Sequence, residues 1–140
     1  MIIRLVAVVA LAFATSAMAA PYGGASPVTV RAEAKSTRDF SATAPDVMAE
    51  PGGVRIHGQV CRSRLEPTPA PQSVRLEHRD GEGRVVEVST APLVGNLAGK
   101  PRLGCAYYSL DAQWQVRPTD TVRACLLGRG AETSCAGLAG

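Results

Sequence analysis

The sequence predicts an all-β sandwich of six to seven short antiparallel strands held by two disulfides, and three observations carry that expectation. Apolar and polar residues alternate with period two along several segments. Glycine and proline punctuate the intervals between those segments. Four cysteines, Cys61, Cys105, Cys125 and Cys135, each fall at the edge of a strand-like run. An even cysteine count in a small exported chain argues for a disulfide framework rather than reactive thiols.

Taken in order, Val28, Val30, Ala32 and Ala34 alternate with Thr29, Arg31 and Glu33, the pattern of a half-buried strand. Ser36 to Gly53 contains Pro45, Pro51, Gly52 and Gly53, and is expected to hold at most a short extended piece at Phe40–Ala42. Val54, Ile56, Gly58 and Val60 alternate with Arg55, His57 and Gln59, and Cys61 closes the run. Pro67, Pro69 and Pro71 then forbid a central strand and mark a loop. Ser73–Asp80 and Arg84–Thr90 flank Gly81-Glu82-Gly83, a turn of hairpin length. A long Gly/Pro-containing loop over Ala91–Gly104 leads into Cys105–Trp114. Val122, Ala124 and Leu126 alternate with Arg123 and Cys125, after which Gly128-Arg129-Gly130 turns the chain toward a last short run at Cys135. No helix of three turns is legible after residue 20. Such a string of short strands and turns is the pattern of a sandwich. A transmembrane barrel is disfavoured, because it needs longer strands and aromatic girdles, and the chain has two Phe, three Tyr and one Trp.

The N-terminus reads as an export signal. Arg4 gives a short positive region, Leu5–Ala14 is apolar and uncharged, and Ala17-Met18-Ala19 fits the small-x-small cleavage pattern. The apolar run falls short of the ~20 residues that a spanning helix needs. The expected organisation is therefore a Sec-type signal peptide over 1–19, a flexible segment over 20–27 and one domain over 28–140, with a periplasmic or secreted location and no stable membrane insertion after cleavage. Without Arg4, Lys+Arg falls from 15 to 14 against 12 Asp+Glu, a net of +2. A balance so near neutral gives no reason to expect a nucleic-acid partner.

Val54-Arg-Ile-His-Gly-Gln-Val60, Val74-Arg-Leu76, Asp80-Gly81 and Gly83-Arg-Val85-Val86 resemble the immunoglobulin-like, FxLYD-type domains of bacterial envelope proteins. The Trp114-x-Val116-x-Pro118-x-Asp120-x-Val122 run is similar to the approach to a late strand in that class. The resemblance covers Val54 to Leu127 and implies an immunoglobulin/fibronectin-III-like sandwich without implying an activity. The chain departs from the family in having four cysteines and in lacking its aromatic signature. It departs from antibody domains in having Arg123 where a Tyr precedes the second cysteine by two residues.

Strand parity bears on the cysteines. Cys61 falls on the face of Arg55, His57 and Gln59, and Cys125 on that of Arg123, so both are expected to point away from the core. Four cysteines allow three connectivities. With Val54–Cys61 as the B strand and Cys105–Leu110 as the E strand of such a sandwich, the end of one lies beside the start of the other. That arrangement favours Cys61–Cys105 together with Cys125–Cys135.

Catalytic signatures are absent from the sequence. His57 and His78 are the only histidines, and no serine or carboxylate is tied to either by a recognisable motif. His57 is expected to be solvated, and His78 to be partly buried and hydrogen-bonded. A metal site would have to use Met48, His57 and His78, which show no ligand spacing, so no metal and no cofactor is expected. Tyr107, Tyr108 and Trp114 are expected to pack. What remains is a non-catalytic binding or accessory module of the envelope, with an assembly component lacking a dedicated ligand as the alternative and a periplasmic metal-binding protein as the lesser one. In the sandwich the loops bearing Arg62 and Arg64, Lys100 and Arg102, and Arg129 emerge at one pole, with Glu66 and Glu132 beside them. That basic pole is the expected recognition surface for an anionic envelope component or an acidic protein partner.

Overall fold

A computed structural model describes residues 26–65, 69–97, 103–128 and 135, and every regular element among them is a strand. The expected signal peptide over 1–19 lies outside the described residues. Among the described residues, no helix is long and apolar enough to cross a membrane.

The strands form two sheets. The first contains β1 (Ser26–Pro27), β3 (Phe40–Ala42), β4 (Asp46–Glu50), β5 (Gly53–Arg62), β8 (Val94–Gly95) and β9 (Cys105–Ala112). Its order is β1-β4-β5-β9-β8, with β3 and β4 sharing the edge of β5 that β9 leaves open. The second contains β2 (Arg31–Ala34), β6 (Ser73–Arg79), β7 (Val85–Pro92) and β10 (Thr121–Leu127), in the order β2-β10-β6-β7. Every pairing is antiparallel except that of β2 with β10, which is parallel.

The predicted parity sets the core. Val54, Ile56 and Val60 of β5, Val74 and Leu76 of β6, and Val122, Ala124 and Leu126 of β10 all turn inward and are buried. Phe40 closes the cluster at one end and Trp114 at the other. A fully buried side chain of this size contributes about 1.5–3 kcal/mol by removal of apolar surface from water, and this shared inner face fixes the register of both sheets. The β5–β9 ladder runs without interruption past Gly58, where a Cβ would strike the Tyr108 ring and hydroxyl, so glycine there makes room for the neighbouring strand's aromatic. The β6–β7 hairpin turns on Gly83, whose φ of 83° lies in the left-handed region that glycine adopts without strain. The Asp80 carboxylate ties that turn by accepting the Glu82 and Arg84 backbone N–H groups, each at 3.0 Å.

Both cysteine pairs follow the favoured connectivity. Cys61 and Cys105 are direct register partners on β5 and β9, with Cα atoms 4.0 Å apart and a disulfide between them. Cys125 is joined to Cys135, Cα to Cα 5.4 Å. Cys125 does point away from the core, as parity requires, yet it is 1 % exposed, because it lies on a central strand of its sheet with Cys135 bonded over it.

The strand pattern departs from the sequence reading in several places, and Tyr107, expected to pack, is 57 % exposed. The segment between Ser36 and Gly53 holds β4 as well as β3, because Val47 and Ala49 alternate into the β5 ladder despite the flanking prolines. Pairing begins at Ser26 rather than Val28, through two residues set against Met48 and Ala49. The Ala91–Gly104 loop contributes Val94–Gly95 as a short edge strand. Cys135 sits in a turn, and the flank of β10 opposite β6 is taken by β2.

Candidate functional site

Of the five basic residues expected at the loop pole, Arg62 and Arg64 are among the described residues, while Lys100, Arg102 and Arg129, with Glu66 and Glu132, lie outside them. The bases of the three loops do meet at one end. Arg62 N–H donates to Gly104 O at 2.9 Å and Gln72 N–H to Leu127 O at 3.0 Å. Arg64 is exposed. Arg62 is a correction. β5 runs one residue past Cys61, so Arg62 shares the parity of Val60 and turns inward, leaving it 7 % exposed. Its guanidinium lies 4.7 Å from the Phe40 ring centroid, its Nε donates to the Leu97 carbonyl, and an NH group donates to the Arg64 carbonyl at 3.5 Å. A cation on an aromatic face with carbonyl acceptors is a packed group.

The histidines separate. His57 lies on the outer face of the first sheet, half exposed, 3.7 Å from the Asp46 carboxylate. His78 continues the inward parity of Val74 and Leu76 and is 3 % exposed, a buried and hydrogen-bonded histidine as expected. Its Nδ1 is 2.9 Å from Glu87 Oε2 and its Nε2 2.8 Å from Asp120 Oδ2, and its ring stacks on Trp114 with centroids 5.8 Å apart. Asp120 also accepts the Arg117 backbone N–H at 2.9 Å. Burial pushes the Asp120 carboxyl up, but the Arg117 N–H, the His78 hydrogen bond and the neighbouring positive charges outweigh it, and the net shift is downward. Each ring nitrogen lies within hydrogen-bond distance of a carboxylate oxygen, so both are engaged. The cluster is saturated, with its two carboxylates on opposite sides of the ring rather than converging on one point. Among the described residues, no group of three or more His, Cys, Asp or Glu is arranged to hold a metal ion. Met48 pairs with Arg55 in the other sheet, so Met48, His57 and His78 are not brought together.

The assembled chemistry on the solvent side is the outer face of the second sheet. Arg31 and Glu33 on β2, Arg123 on β10, and Arg75, Glu77 and Arg79 on β6 form one array, with Arg31 opposite Thr121, Thr121 opposite Arg79, and Arg123 between Glu33 and Glu77. Each carboxylate is shared by two guanidinium groups. Glu33 takes Arg31 at 2.9 Å and Arg123 at 3.1 Å, and Glu77 takes Arg79 at 3.0 Å and Arg75 at 3.2 Å. Four arginines against two glutamates leave this face with two positive charges in excess. Arg75 Nε and Arg123 NH1 are buried without a hydrogen-bond partner. Exposed Lys35 follows at the end of β2. A cleft of about 410 Å³ opens beside Glu33, Lys35 and Arg123 against Ala32, Ala34 and Ala44.

The array escaped sequence reasoning because its alternation marks only a polar face. What gathers the residues is the parallel β2–β10 pairing, which joins segments about ninety positions apart, as the Arg123–Glu33 contact shows.

No family model matches the chain, and no curated protein and no solved structure is found to match it.

Proposed function

We infer that this protein is a non-catalytic binding module of the bacterial envelope, exported by its N-terminal signal, which recognises anionic groups through the arginine array of β2, β10 and β6. The observation that carries the reading is the two-to-one ratio of guanidinium to carboxylate on one sheet face. Arg31 and Arg75 are its exposed members, with side chains 77 % and 42 % accessible. Guanidinium groups match the paired oxygens of carboxylate, sulfate and phosphate, so the ligand is a polyanion such as an acidic or phosphorylated glycan, or an acidic protein segment. The reading moves the recognition surface from the loop pole, where Arg62 is inward, to the sheet. The buried His78 cluster supports the non-catalytic half of it, since both of its nitrogens are already engaged. We also read the two sheets as an immunoglobulin-like sandwich, supported by the β4-β5-β9-β8 and β10-β6-β7 orders, with β2 in the place expected for a last strand.

The test is retention on a polyanion matrix with wild-type protein and the Arg31→Ala/Arg75→Ala variant. Wild-type retention should fall steeply with salt, because exposed charges are screened within about 10 Å at 0.1 M. The variant should elute earlier. Equal elution of the two proteins would refute the assignment.

A further inference from the structure

The four arginines on the outer face of the second sheet do not act as four separate charges. They close in pairs on one carboxylate each, Arg31 and Arg123 on Glu33, Arg79 and Arg75 on Glu77. Each triad therefore carries one net positive charge. Each also has one accessible guanidinium, since the side chains of Arg31 and Arg75 are 77 % and 42 % exposed, against 16 % for Arg123 and 9 % for Arg79. Glu33, Arg123 and Glu77 are successive register partners across β2, β10 and β6, so the triad centres stand two strand spacings apart. Two spacings amount to about 10 Å. A second cleft, of about 440 Å³, opens beside Arg31 and is lined also by Gly81, Gly83, Thr119 and Thr121. The carboxylates in its wall, Asp80 and Asp120, are already taken by Arg84 and His78, so the threonine hydroxyls set its chemistry.

We propose that the ligand of this face is an acidic polysaccharide with one carboxylate per disaccharide, its chain crossing the strands. The proposal rests on the reading of the array as an anion-binding face and narrows that reading to one ligand class. Neighbouring carboxylates of such a chain are held apart by a neutral sugar. Each takes the exposed guanidinium of one triad, which matches its two oxygens. The neutral sugar between them lies over Arg123, whose charge is already tied to Glu33, and hydroxyls of the next sugar meet Thr119 and Thr121. A densely charged chain such as polyphosphate sets further anions against Glu33 for each one it places on Arg31. Like charges brought together in this way reject a ligand that simple attraction would favour. The dense chain therefore binds more weakly despite its greater charge.

Isothermal titration calorimetry at low salt tests this with two probes of equal length, an oligosaccharide of alternating uronic acid and neutral sugar, and linear polyphosphate. The proteins compared are wild type, Glu33→Gln and Arg31→Ala/Arg75→Ala, each checked for folding by circular dichroism. Wild type should bind the oligosaccharide at least tenfold more tightly than polyphosphate. Glu33→Gln should narrow that gap at least fivefold by strengthening polyphosphate, and Arg31→Ala/Arg75→Ala should lose both ligands. The wild-type order alone decides should Glu33→Gln not fold. Tighter binding of polyphosphate by wild type, lost in the double variant, overturns the ligand class and leaves the anion-binding face standing. A Glu33→Gln variant that strengthens both probes equally also overturns it. Binding of neither probe, or binding unchanged in the double variant, overturns the ligand class and the face together.

Discussion

His78 Nε2 and Asp120 Oδ2 lie 2.8 Å apart between the sheets, with both side chains almost wholly removed from solvent. Glu87 on the second ring nitrogen and Trp114 on its face complete a polar plug at the end of an otherwise apolar interior. Removing one member of such a group strands the others without a partner. Asp120→Ala should therefore lower stability by about 3–5 kcal/mol, read from the urea midpoint at neutral pH. A loss below about 1 kcal/mol would mean that the plug is solvated.

The same contact sets an acid limit. Asp120 titrates below the usual carboxylate range when folded, so its stabilisation is present above the unfolded value of about 3.9 and is lost as pH falls through the folded value. Urea midpoints of wild type should drop below about pH 4, and Asp120→Asn should show a shallower acid limb. Parallel acid limbs in the two proteins would contradict this.

Tyr108 makes the opposite prediction. Its hydroxyl is buried beside Gly58 with no hydrogen-bond partner, and burial followed by the Asp46 charge pushes its pKa upward. An unpaired buried hydroxyl costs about 1–3 kcal/mol. Tyr108→Phe should raise the thermal midpoint. A drop in midpoint would reveal a partner for that oxygen.

The disulfides should be unequal. In the chain-entropy view, a closure spanning 44 residues stabilises by about 4 kcal/mol and one spanning 10 residues by about 3 kcal/mol. Denaturant unfolding of Cys61→Ala/Cys105→Ala should show the larger loss and that of Cys125→Ala/Cys135→Ala the smaller.

Much of this fold was legible because its determinants are local. The alternation over Val54–Cys61, Ser73–Asp80 and Thr121–Leu127 marks β5, β6 and β10, and the parity of Cys61 and Cys125 together with strand neighbourhood points to the observed pairings. β4 was hidden because Pro45 and Pro51 bracket it, and proline there ends a strand without preventing one between. Arg62 was misplaced by a single residue of strand length, which decides between solvent and core. The arginine array needed the β2–β10 pairing, a contact between distant segments that periodicity does not encode.

The central claim is that the outer face of β2, β10 and β6 binds polyanions, and backbone amide shift mapping during titration with a sulfated oligosaccharide tests it most directly. The account predicts salt-sensitive shifts concentrated at Arg31–Glu33, Arg75–Arg79 and Thr121–Arg123. Shifts confined to the Arg62–Arg64 pole, or none at low salt, would contradict it.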